Sequence, residues 1–240
     1  MGKRGFTLIL LSALLSTSIA QAKSFKVVVF NIQKAENAKW DQSVFDSLVS
    51  ASDLSLLQES VDDLPMEIGP VLNQYFYKSW GNSDYDTGLE TRTVWQKKSS
   101  RVLFSPTNEP VSDTPKISVV ELYDIEGCED LMVVNTHGIN FRGFSHFRKQ
   151  MKAVFENVRD HQGPMIWAGD FNTRNTSRKK YLISIAKDLS LKEIKFEGRT
   201  NKGFALDRAF SRGLEVLKAE EIQAGISDHE PLYIELEKKN

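Results

Sequence analysis

The sequence predicts an α+β fold in which β-sheets pack face to face and helices cover their outer faces. Short apolar runs rich in β-branched residues recur along most of the 240-residue chain, and they outnumber the stretches with helical periodicity. Those helical stretches are amphipathic, so each has one apolar face with which to cover a sheet. Several strand-like runs also end in Asn, Glu, His or Asp, which suggests that strand ends converge on a site. A mix dominated by strands suits such layered packing.

Residues 1–22 have the composition of a secretory signal peptide. Its three parts are a basic start at Lys3 and Arg4, an apolar run from residue 6 to residue 15, and the A-x-A cleavage site Ala20-Gln21-Ala22. The apolar run is too short to span a bilayer. We therefore expect cleavage after Ala22 and a secreted or periplasmic protein whose single domain covers residues 23–240. A retained membrane anchor is the alternative.

Composition limits the classes of function open to the mature chain. About 218 residues are enough for one sizeable core, and neither a linker nor a repeat divides them, so we expect one domain and a monomer. The formal charge is -1 and falls to about -3 without Lys3 and Arg4, so any polyanion must be bound by a local basic patch. Cys128 is the only cysteine, which excludes an intrachain disulfide. No later segment is apolar enough to insert into a bilayer, so we expect no stable membrane association.

In the first half of the chain, apolar spacing predicts one helix among seven strands. Trp40, Val44 and Leu48 recur at helical intervals and predict a helix over residues 40–51. The strand predictions rest on short β-rich runs separated by polar loops marked by Gly and Pro. They cover residues 26–30, 54–57, 74–80, 91–96, 101–104, 117–123 and 131–134.

In the second half of the chain, two helices alternate with strands. Phe147, Met151, Val154 and Val158 form an apolar stripe that predicts a helix ending at Val158. A further helix is predicted over residues 177–189. Apolar runs predict strands over residues 165–168, 205–210, 214–218 and 231–236.

The stretch I-W-A-G-D-F-N at residues 166–172 carries the clearest chemical signal. Its apolar run ends at Gly169 and is followed by Asp170 and Asn172. Side chains two apart on an extended strand point the same way, so a carboxylate and an amide should face one spot beyond the sheet edge. That pair suits hydrolysis of a phosphate ester, in which a water is activated and a charged transition state is held.

The other strand ends supply groups for the same chemistry. They are Asn31, Glu59, Asn135 with His137, Asp207, and Asp228 with His229. The oxygens of Glu59 and Asn31 suit Mg²⁺ or, in its place, Mn²⁺, whereas no close His or Cys spacing indicates a zinc cage. A carboxylate such as that of Asp207 would raise the pKa of His229 and hold its ring charged against a phosphate oxygen. Each residue on its own could equally be a turn former, a solvated carboxylate or a structural histidine. Because they occur together and in order at strand ends, we favour a functional site.

Six short motifs resemble those of the endonuclease/exonuclease/phosphatase superfamily. In chain order they are F-N-I (30–32), L-Q-E (57–59), N-T-H (135–137), G-D-F-N (169–172), L-D-R-A-F (206–210) and S-D-H (227–229). That superfamily includes the pancreatic-type deoxyribonucleases, exonuclease III-like repair enzymes, inositol polyphosphate phosphatases and neutral sphingomyelinases. The match covers nearly the whole mature chain. It implies a four-layered α/β/β/α sandwich of two mainly antiparallel sheets flanked by helices.

The resemblance also implies a role for each motif residue. Asn31 and Glu59 would bind the metal. Asp170 and Asn172 would act on the attacking water and the transition state. Asp207 would orient His229, and Asp228 would support either the metal or His229. His137 matches a histidine that the deoxyribonuclease branch uses as an acid or a phosphate contact. That branch pairs the histidine with a glutamate on the strand that here covers residues 74–80, which holds no acid. Asp84, Asp86 and Glu90 are candidate substitutes.

The substrate is predicted from the surroundings of the motifs. Arg142 and Arg174 follow two catalytic strand ends and, with Arg92 and Asn135, are candidate substrate contacts. The lysines near them fit a solvated helix face equally well. Tyr75, Phe76, Tyr77 and Trp80 form either a base-stacking platform or part of the core.

A secreted or periplasmic nuclease acting on DNA or RNA is therefore the first expectation. The alternative is a phosphatase or phosphodiesterase acting on lipid headgroups or small phosphoesters. A non-catalytic binding module that kept the fold is a third hypothesis, which the presence of Glu59, Asp170, Asn172 and His229 disfavours.

Overall fold

The computed structural model describes residues 24–67, 69, 72–110, 113–199 and 205–239. Within these ranges the chain forms two six-stranded sheets and three α-helices, so the predicted α+β class is confirmed. The predicted signal peptide, residues 1–22, lies outside the described residues. None of the helices in the described ranges is long and apolar enough to cross a membrane.

The first sheet has the strand order β11-β12-β1-β2-β4-β3. Its strands are β1 (Phe25–Asn31), β2 (Leu54–Val61), β3 (Asn73–Gly81), β4 (Asp86–Thr93), β11 (Leu214–Glu221) and β12 (Leu232–Lys238). Only β1 and β2 are parallel among the pairings described for this sheet.

The second sheet has the order β5-β6-β7-β8-β10-β9. Its strands are β5 (Lys97–Phe104), β6 (Ile117–Ile125), β7 (Cys128–His137), β8 (Met165–Asp170), β9 (Lys192–Glu193) and β10 (Asp207–Arg212). Here β7 and β8 are the one parallel pair described. The prediction of two mainly antiparallel sheets is therefore confirmed.

The three helices are α1 (Gln42–Ser50), α2 (Phe144–Val158) and α3 (Thr176–Asp188). Side chains cap the first and the last of them. Asp41 accepts hydrogen bonds from two backbone N–H groups of α1, and Asn175 accepts one at the start of α3. Each cap satisfies donors that the first helical turn leaves unpaired.

The core is divided into layers as the amphipathic patterns require. Between the sheets, side chains such as Val29 and Leu56 of the first sheet pack with Val133 and Ile166 of the second. On the outer face of the first sheet, α1 contributes Phe45 to a separate cluster. On the outer face of the second sheet, α2 and α3 pack over β7, β8 and β10. The order of layers is therefore helix, sheet, sheet, helix.

One strand prediction was displaced along the chain. The sequence indicated a strand over residues 91–96, whereas β4 covers Asp86–Thr93. The start of β4 is polar and contains Gly88, which resembles a loop. It is a strand because it pairs on both sides, with β2 and with β3, and buries polar side chains within the structure. Tertiary pairing has overridden local propensity here.

The two parallel pairs determine where the site forms. Parallel strands end at the same sheet edge, and the register places Asn31 of β1 opposite Gln58 of β2, one residue before Glu59. In the second sheet, His137 of β7 lies opposite Asp170 of β8. The face-to-face packing of the sheets then brings both edges to one end of the sandwich, where Asn31 contacts Asp170.

Candidate active site

Asp170 lies at the centre of this end of the molecule. Gly169, just before it, has a φ of +139°, and a Cβ there would lie 2.0 Å from the carbonyl oxygen of Thr136. Only glycine therefore lets β8 approach β7 this closely. The strand register then sets Asp170 between His137 on one side and Asp207 of β10 on the other.

The Asp170 carboxylate is buried and accepts several hydrogen bonds. Oδ1 accepts from the backbone N–H of Asn172 at 2.8 Å. Oδ2 accepts from the amide nitrogens of Asn31 and Asn172, each at 3.2 Å. Burial, reinforced by the negative charge of Asp207, raises the pKa of Asp170. The structure therefore holds this carboxylate in a fixed orientation and makes it more basic than an exposed aspartate.

Asn172 meets Asp170 through a turn rather than through strand alternation. The strand ends at Asp170, and Asn172 adopts a left-handed φ of 50°. This turn directs the Asn172 amide both to Asp170 and to the Gly138 carbonyl oxygen, at 2.9 Å. The predicted convergence of the two side chains is confirmed, and its geometric cause differs from the one expected.

His229 is held beside Asp170 in its charged form. Its Nδ1 contacts Oδ2 of Asp207 at 2.7 Å, and its Nε2 lies 3.9 Å from Oδ2 of Asp170. Burial lowers the pKa of His229, but the attraction of Asp207 and Asp170 outweighs burial and raises the pKa to about 10. The imidazolium is therefore positive at neutral pH and faces the same space as Asp170. The expected pairing of Asp207 with His229 is present.

His137 lies on the other side of Asp170 and is neutral. Its Nε2 is 3.5 Å from Oδ2 of Asp170 and 3.7 Å from Oε1 of Glu59. Burial, helped by the positive charge of Lys116, lowers the pKa of His137 to about 4 despite these two carboxylates. An imidazole that is neutral at pH 7 forms hydrogen bonds but is not a protonated general acid.

Glu59 is the residue at which the pairing of β2 with β4 becomes irregular, and it has a φ of 50°. Its Oε2 lies 3.1 Å from Nζ of Lys34, and its Oε1 lies 4.0 Å from Nζ of Lys116. Burial raises the pKa of Glu59, but His137 and the two lysines outweigh burial and lower the pKa to about 2. Glu59 is therefore ionised throughout the physiological range.

Hard oxygen donors are concentrated at this end of the sandwich. Asn31 contacts Asp170 directly. Glu59 and Asp170 both lie near Nε2 of His137. Donor atoms of Asp170, Asp207 and His229 also lie within 4.8 Å of one another. In addition, Oδ1 of Asp207 is buried without a hydrogen-bond partner. Such donors fit a divalent cation of the Mg²⁺ or Mn²⁺ kind.

Comparison with known proteins identifies the family. Residues 28–229 match the Endonuclease/Exonuclease/phosphatase family. The chain belongs to this family. Its members are hydrolytic phosphoesterases that depend on a divalent metal, and the resemblance of the six motifs is confirmed.

Relatives of the chain occur among bacterial proteins. A UPF0294 protein of Klebsiella pneumoniae (strain 342) is 31% identical over 230 residues, which are 91% of this chain and 84% of that protein. A UPF0294 protein of Vibrio vulnificus (strain CMCP6) is 31% identical over 229 residues, which are 90% and 78% of the two chains. The human Nocturnin catalytic domain with bound sulfate anion shares the fold, with a TM-score of 0.67 at 17% identity over 90% of this chain and 95% of that one.

Two predicted substrate contacts are not available at the surface of this family member. Arg92 is 2% exposed, its Nε contacts Glu90 at 2.6 Å, and it donates to the carbonyl oxygen of Leu64. Asn135 is 1% exposed and joins the two sheets through Gln58 and the carbonyl oxygen of Leu57. The expectation that they contact substrate was wrong, because both side chains are used in holding strands together.

The remaining predicted residues lie around the rim. Arg174 is exposed, with Nε 3.4 Å from Oδ1 of Asn172 and its guanidinium over the ring of Phe141. Arg142 is half-buried and donates to the carbonyl oxygen of Asn108. Asp228 is exposed and is contacted by the Ser227 hydroxyl at 3.4 Å. Its negative charge contributes, after those of Asp207 and Asp170, to raising the pKa of His229.

The candidate substitutes for the family's glutamate lie elsewhere. Asp86 pairs with Lys78, and Glu90 pairs with Arg92. Asp84 accepts a hydrogen bond from the neighbouring Ser83. The carboxylates that His137 does meet are those of Glu59 and Asp170.

The strand aromatics do not form an open stacking platform. Tyr77 donates from its hydroxyl to the buried carboxylate of Glu121 at 2.6 Å. The ammonium of Lys97 lies 3.9 Å from the ring centre of Tyr75 and 4.8 Å from that of Tyr77. Of the four predicted aromatics, Trp80 lines the cavity beside the site.

Sequence reasoning missed the role of Arg178. Its guanidinium donates to the carbonyl oxygens of Ile139, Asn140, Arg142 and Asn172. It therefore fixes the loop at residues 139–142, which carries Phe141 at the rim. The available signal was spacing, because Arg178 lies on the same helical stripe as Leu182 and Ile185 and so had to face the core.

Proposed function

We propose that the protein is a Mg²⁺-dependent phosphodiesterase of the nuclease type that cleaves DNA or RNA by in-line attack of water. The observation that carries this proposal is the setting of Asp170, a buried carboxylate between the neutral His137 and the positively charged His229. A base and a positive charge side by side are what hydrolysis of an anionic ester requires. A non-catalytic module would have no need to keep both.

Each residue of this group has a separate role in the proposed hydrolysis. Asp170 orients the attacking water and accepts its proton, which its raised pKa favours. His229, positioned by Asp207, places its charge against a phosphate oxygen. Asn172 donates from its amide to the phosphoryl group when its longer hydrogen bond, the one to Asp170 at 3.2 Å, is exchanged for the substrate. Because His137 is neutral, we assign it a hydrogen bond to the phosphate or to the leaving oxygen. We do not assign it the role of general acid.

Glu59 and Asn31 are the residues that we propose for the metal, with Asp228 as a supporting group, while Asp170 remains the base. The alternative set of Asp170, Asp207 and His229 is less suited, because a cation bound by His229 would have to displace a proton from an imidazolium whose pKa is raised to about 10. A hard divalent cation supplies neutralisation of phosphate charge when it is bound.

Phe141 and Arg174 favour a nucleic acid over a simple phosphate ester. Phe141 is 66% exposed, and the Arg174 guanidinium lies 5.6 Å from its ring centre, adjacent to Asn172. An exposed ring with a paired guanidinium beside a phosphate site suits stacking of a base. Lipid headgroups and small phosphoesters, which lack a base, are the second candidate class.

One assay separates the substrate classes. The purified protein with Mg²⁺ is incubated with plasmid DNA, RNA, sphingomyelin and inositol phosphates, and the products are quantified. We expect cleavage of nucleic acid, and at least a tenfold loss in that rate for Phe141→Ala. Cleavage of a lipid or an inositol phosphate without cleavage of nucleic acid would reverse the ranking, and no hydrolysis of any substrate would support the binding-module hypothesis.

We also propose that the protein is exported after cleavage behind Ala22. The support is the order of basic, apolar and A-x-A segments in residues 1–22. Mass spectrometry of the protein recovered from a bacterial periplasm should give an N-terminus at Lys23. Recovery of the chain beginning at Met1, in the cell interior, would contradict this proposal.

A further inference from the structure

A cavity of about 290 Å³ opens beside the catalytic group on the side of Glu59. Lys34, Lys116 and Trp80 line it together with Glu59 and His137. It extends from Glu59 to residues of β3 and β4, and Phe141 is not among the residues that line it. The function proposed above uses the surface around Phe141 and leaves this cavity without a role.

Positive charge exceeds negative charge among the side chains that line this cavity. Two lysine ammonium groups lie within 4.0 Å of a single carboxylate, that of Glu59. The side chains of Lys34 and Lys116 are 27% and 19% exposed, so their charges are only partly solvated. If Glu59 serves a cation, as proposed, both lysines lose the counter-charge of Glu59, and Lys34 keeps only the attraction of the exposed Glu36. An anionic group is then needed in the cavity in addition to the scissile phosphodiester.

The backbone holds both lysines at this cavity. Lys34 lies in a short 3-10 turn, Gln33–Ala35, whose three residues all have left-handed φ values between 50° and 58°. L-residues disfavour this conformation, and a run of three persists only where surrounding contacts enforce it. One such contact is the hydrogen bond from the Gln33 N–H to Oδ1 of Asn31. Lys116 is fixed through its backbone, which exchanges hydrogen bonds with Ser105.

We propose that Lys34 and Lys116 form a subsite for a phosphomonoester group located next to the scissile phosphate ester. A phosphomonoester carries nearly two negative charges at neutral pH, which matches two ammonium groups, whereas a further phosphodiester carries one. The subsite rests on the proposed function in that it assigns a specificity to the same site. Two sources supply this chemistry, the phosphorylated end of an oligonucleotide and the second phosphate of an inositol bisphosphate.

The test measures binding rather than turnover. Isothermal titration calorimetry in Mg²⁺, on the Asp170→Asn protein, compares thymidine tetranucleotides that carry a 5′-phosphate, a 3′-phosphate or neither. A second series compares inositol 1-phosphate with inositol 1,4-bisphosphate. We expect the added phosphate to lower Kd at least tenfold in one series. The double variant Lys34→Ala/Lys116→Ala should remove that gain, and Lys218→Ala, which breaks an exposed ion pair with Glu220, should retain it.

The outcomes separate the subsite from the function. Equal Kd values with and without the added phosphate in both series, absence of binding, or a gain that survives in the double variant would each overturn the subsite. Hydrolysis by the unmodified protein is measured on the same ligands, and hydrolysis without a phosphate preference would leave only the function standing. A phosphate preference without hydrolysis would leave only the subsite. If the alanine pair lowers the melting temperature, Lys34→Met/Lys116→Met, which keeps the aliphatic stems, replaces it.

Discussion

The two histidines that flank Asp170 have the same ring and opposite charge states. His229 touches Asp207 and gains more from that attraction than burial costs, whereas His137 is buried more deeply and has the positive Lys116 nearby. Their neighbours therefore decide which ring is a cation and which is a neutral hydrogen-bonding group. The pairing of His229 with Asp207 could be predicted from sequence. The neutral state of His137 could not, because burial and the approach of Lys116 depend on strand packing.

The charge on His229 makes a testable contribution to stability. Its pKa is raised from 6.5 to about 10 in the folded protein, so the contribution is fully present below pH 6.5 and is lost as the pH rises towards 10. We expect the free energy of unfolding of the metal-free protein to fall by on the order of 3 kcal/mol between pH 6.5 and 9.5. Urea denaturation across this range measures it. In His229→Gln this fall in the free energy of unfolding should disappear over the same pH range. A fall of the same size in the variant would refute the assignment of the pH dependence to His229.

At the scale of elements, the loop between β7 and α2 is fixed from both sides by buried charges. Arg178 of α3 donates to its carbonyl oxygens, and Glu109 accepts from the N–H groups of Asn140 and Phe141. The loop is thereby held against Asn172 without a sheet or helix of its own. Buried backbone groups are satisfied here by side chains, as they must be away from water.

Loss of Arg178 should destabilise the protein and loosen this loop. Arg178→Met keeps the buried stem but leaves several carbonyl oxygens unpaired, so we expect a loss of about 2–4 kcal/mol in the free energy of unfolding. Denaturant unfolding and hydrogen exchange at residues 139–142 measure the two effects. Lys180→Met, on the exposed side of α3, is the matched control and should change stability by less than about 0.5 kcal/mol. Equal effects of the two substitutions would exclude a clamping role.

Sequence patterns predicted element type better than element position. Amphipathic spacing predicted α2, because its apolar stripe persists over several turns, and α3 lies within one residue of the bounds predicted for it. The strand at 91–96 was displaced because β4 begins with polar residues that pairing on both sides buries. Arg92 and Asn135 were assigned to substrate for the same reason, since burial of a polar residue inside a sheet leaves no periodic signal.

At the scale of the whole molecule, an almost neutral chain concentrates charge at one end of the sandwich. The formal charge is -1, yet Asp170, Glu59, His229 and two lysines converge where the parallel strand pairs end. The overall field therefore gives no long-range attraction to a polyanion, and recognition depends on local groups. The motif order predicted this convergence, whereas the contribution of Lys34 and Lys116 required the structure.

Divalent metal should stabilise the folded protein through Glu59. A ligand that binds the folded state alone raises its stability, by about 2.7 kcal/mol at a hundred times Kd, which is an increase of about 5 °C or more in Tm for a chain of this length. Differential scanning calorimetry with and without Mg²⁺ measures the increase. Glu59→Gln should abolish it, and the exposed Glu215→Gln should retain it. An increase of the same size in Glu59→Gln would place the metal elsewhere.

The most direct test of this mechanism is the rate of Mg²⁺-dependent phosphodiester hydrolysis in Asp170→Asn. The substitution keeps the size of the side chain and removes the base, so we predict a loss of about 10²–10⁴-fold in kcat with a folded protein by circular dichroism. Asp188→Asn, exposed at the end of α3, should keep full activity. Hydrolysis by Asp170→Asn at the rate of the unmodified protein would contradict the central claim that this buried carboxylate activates the water.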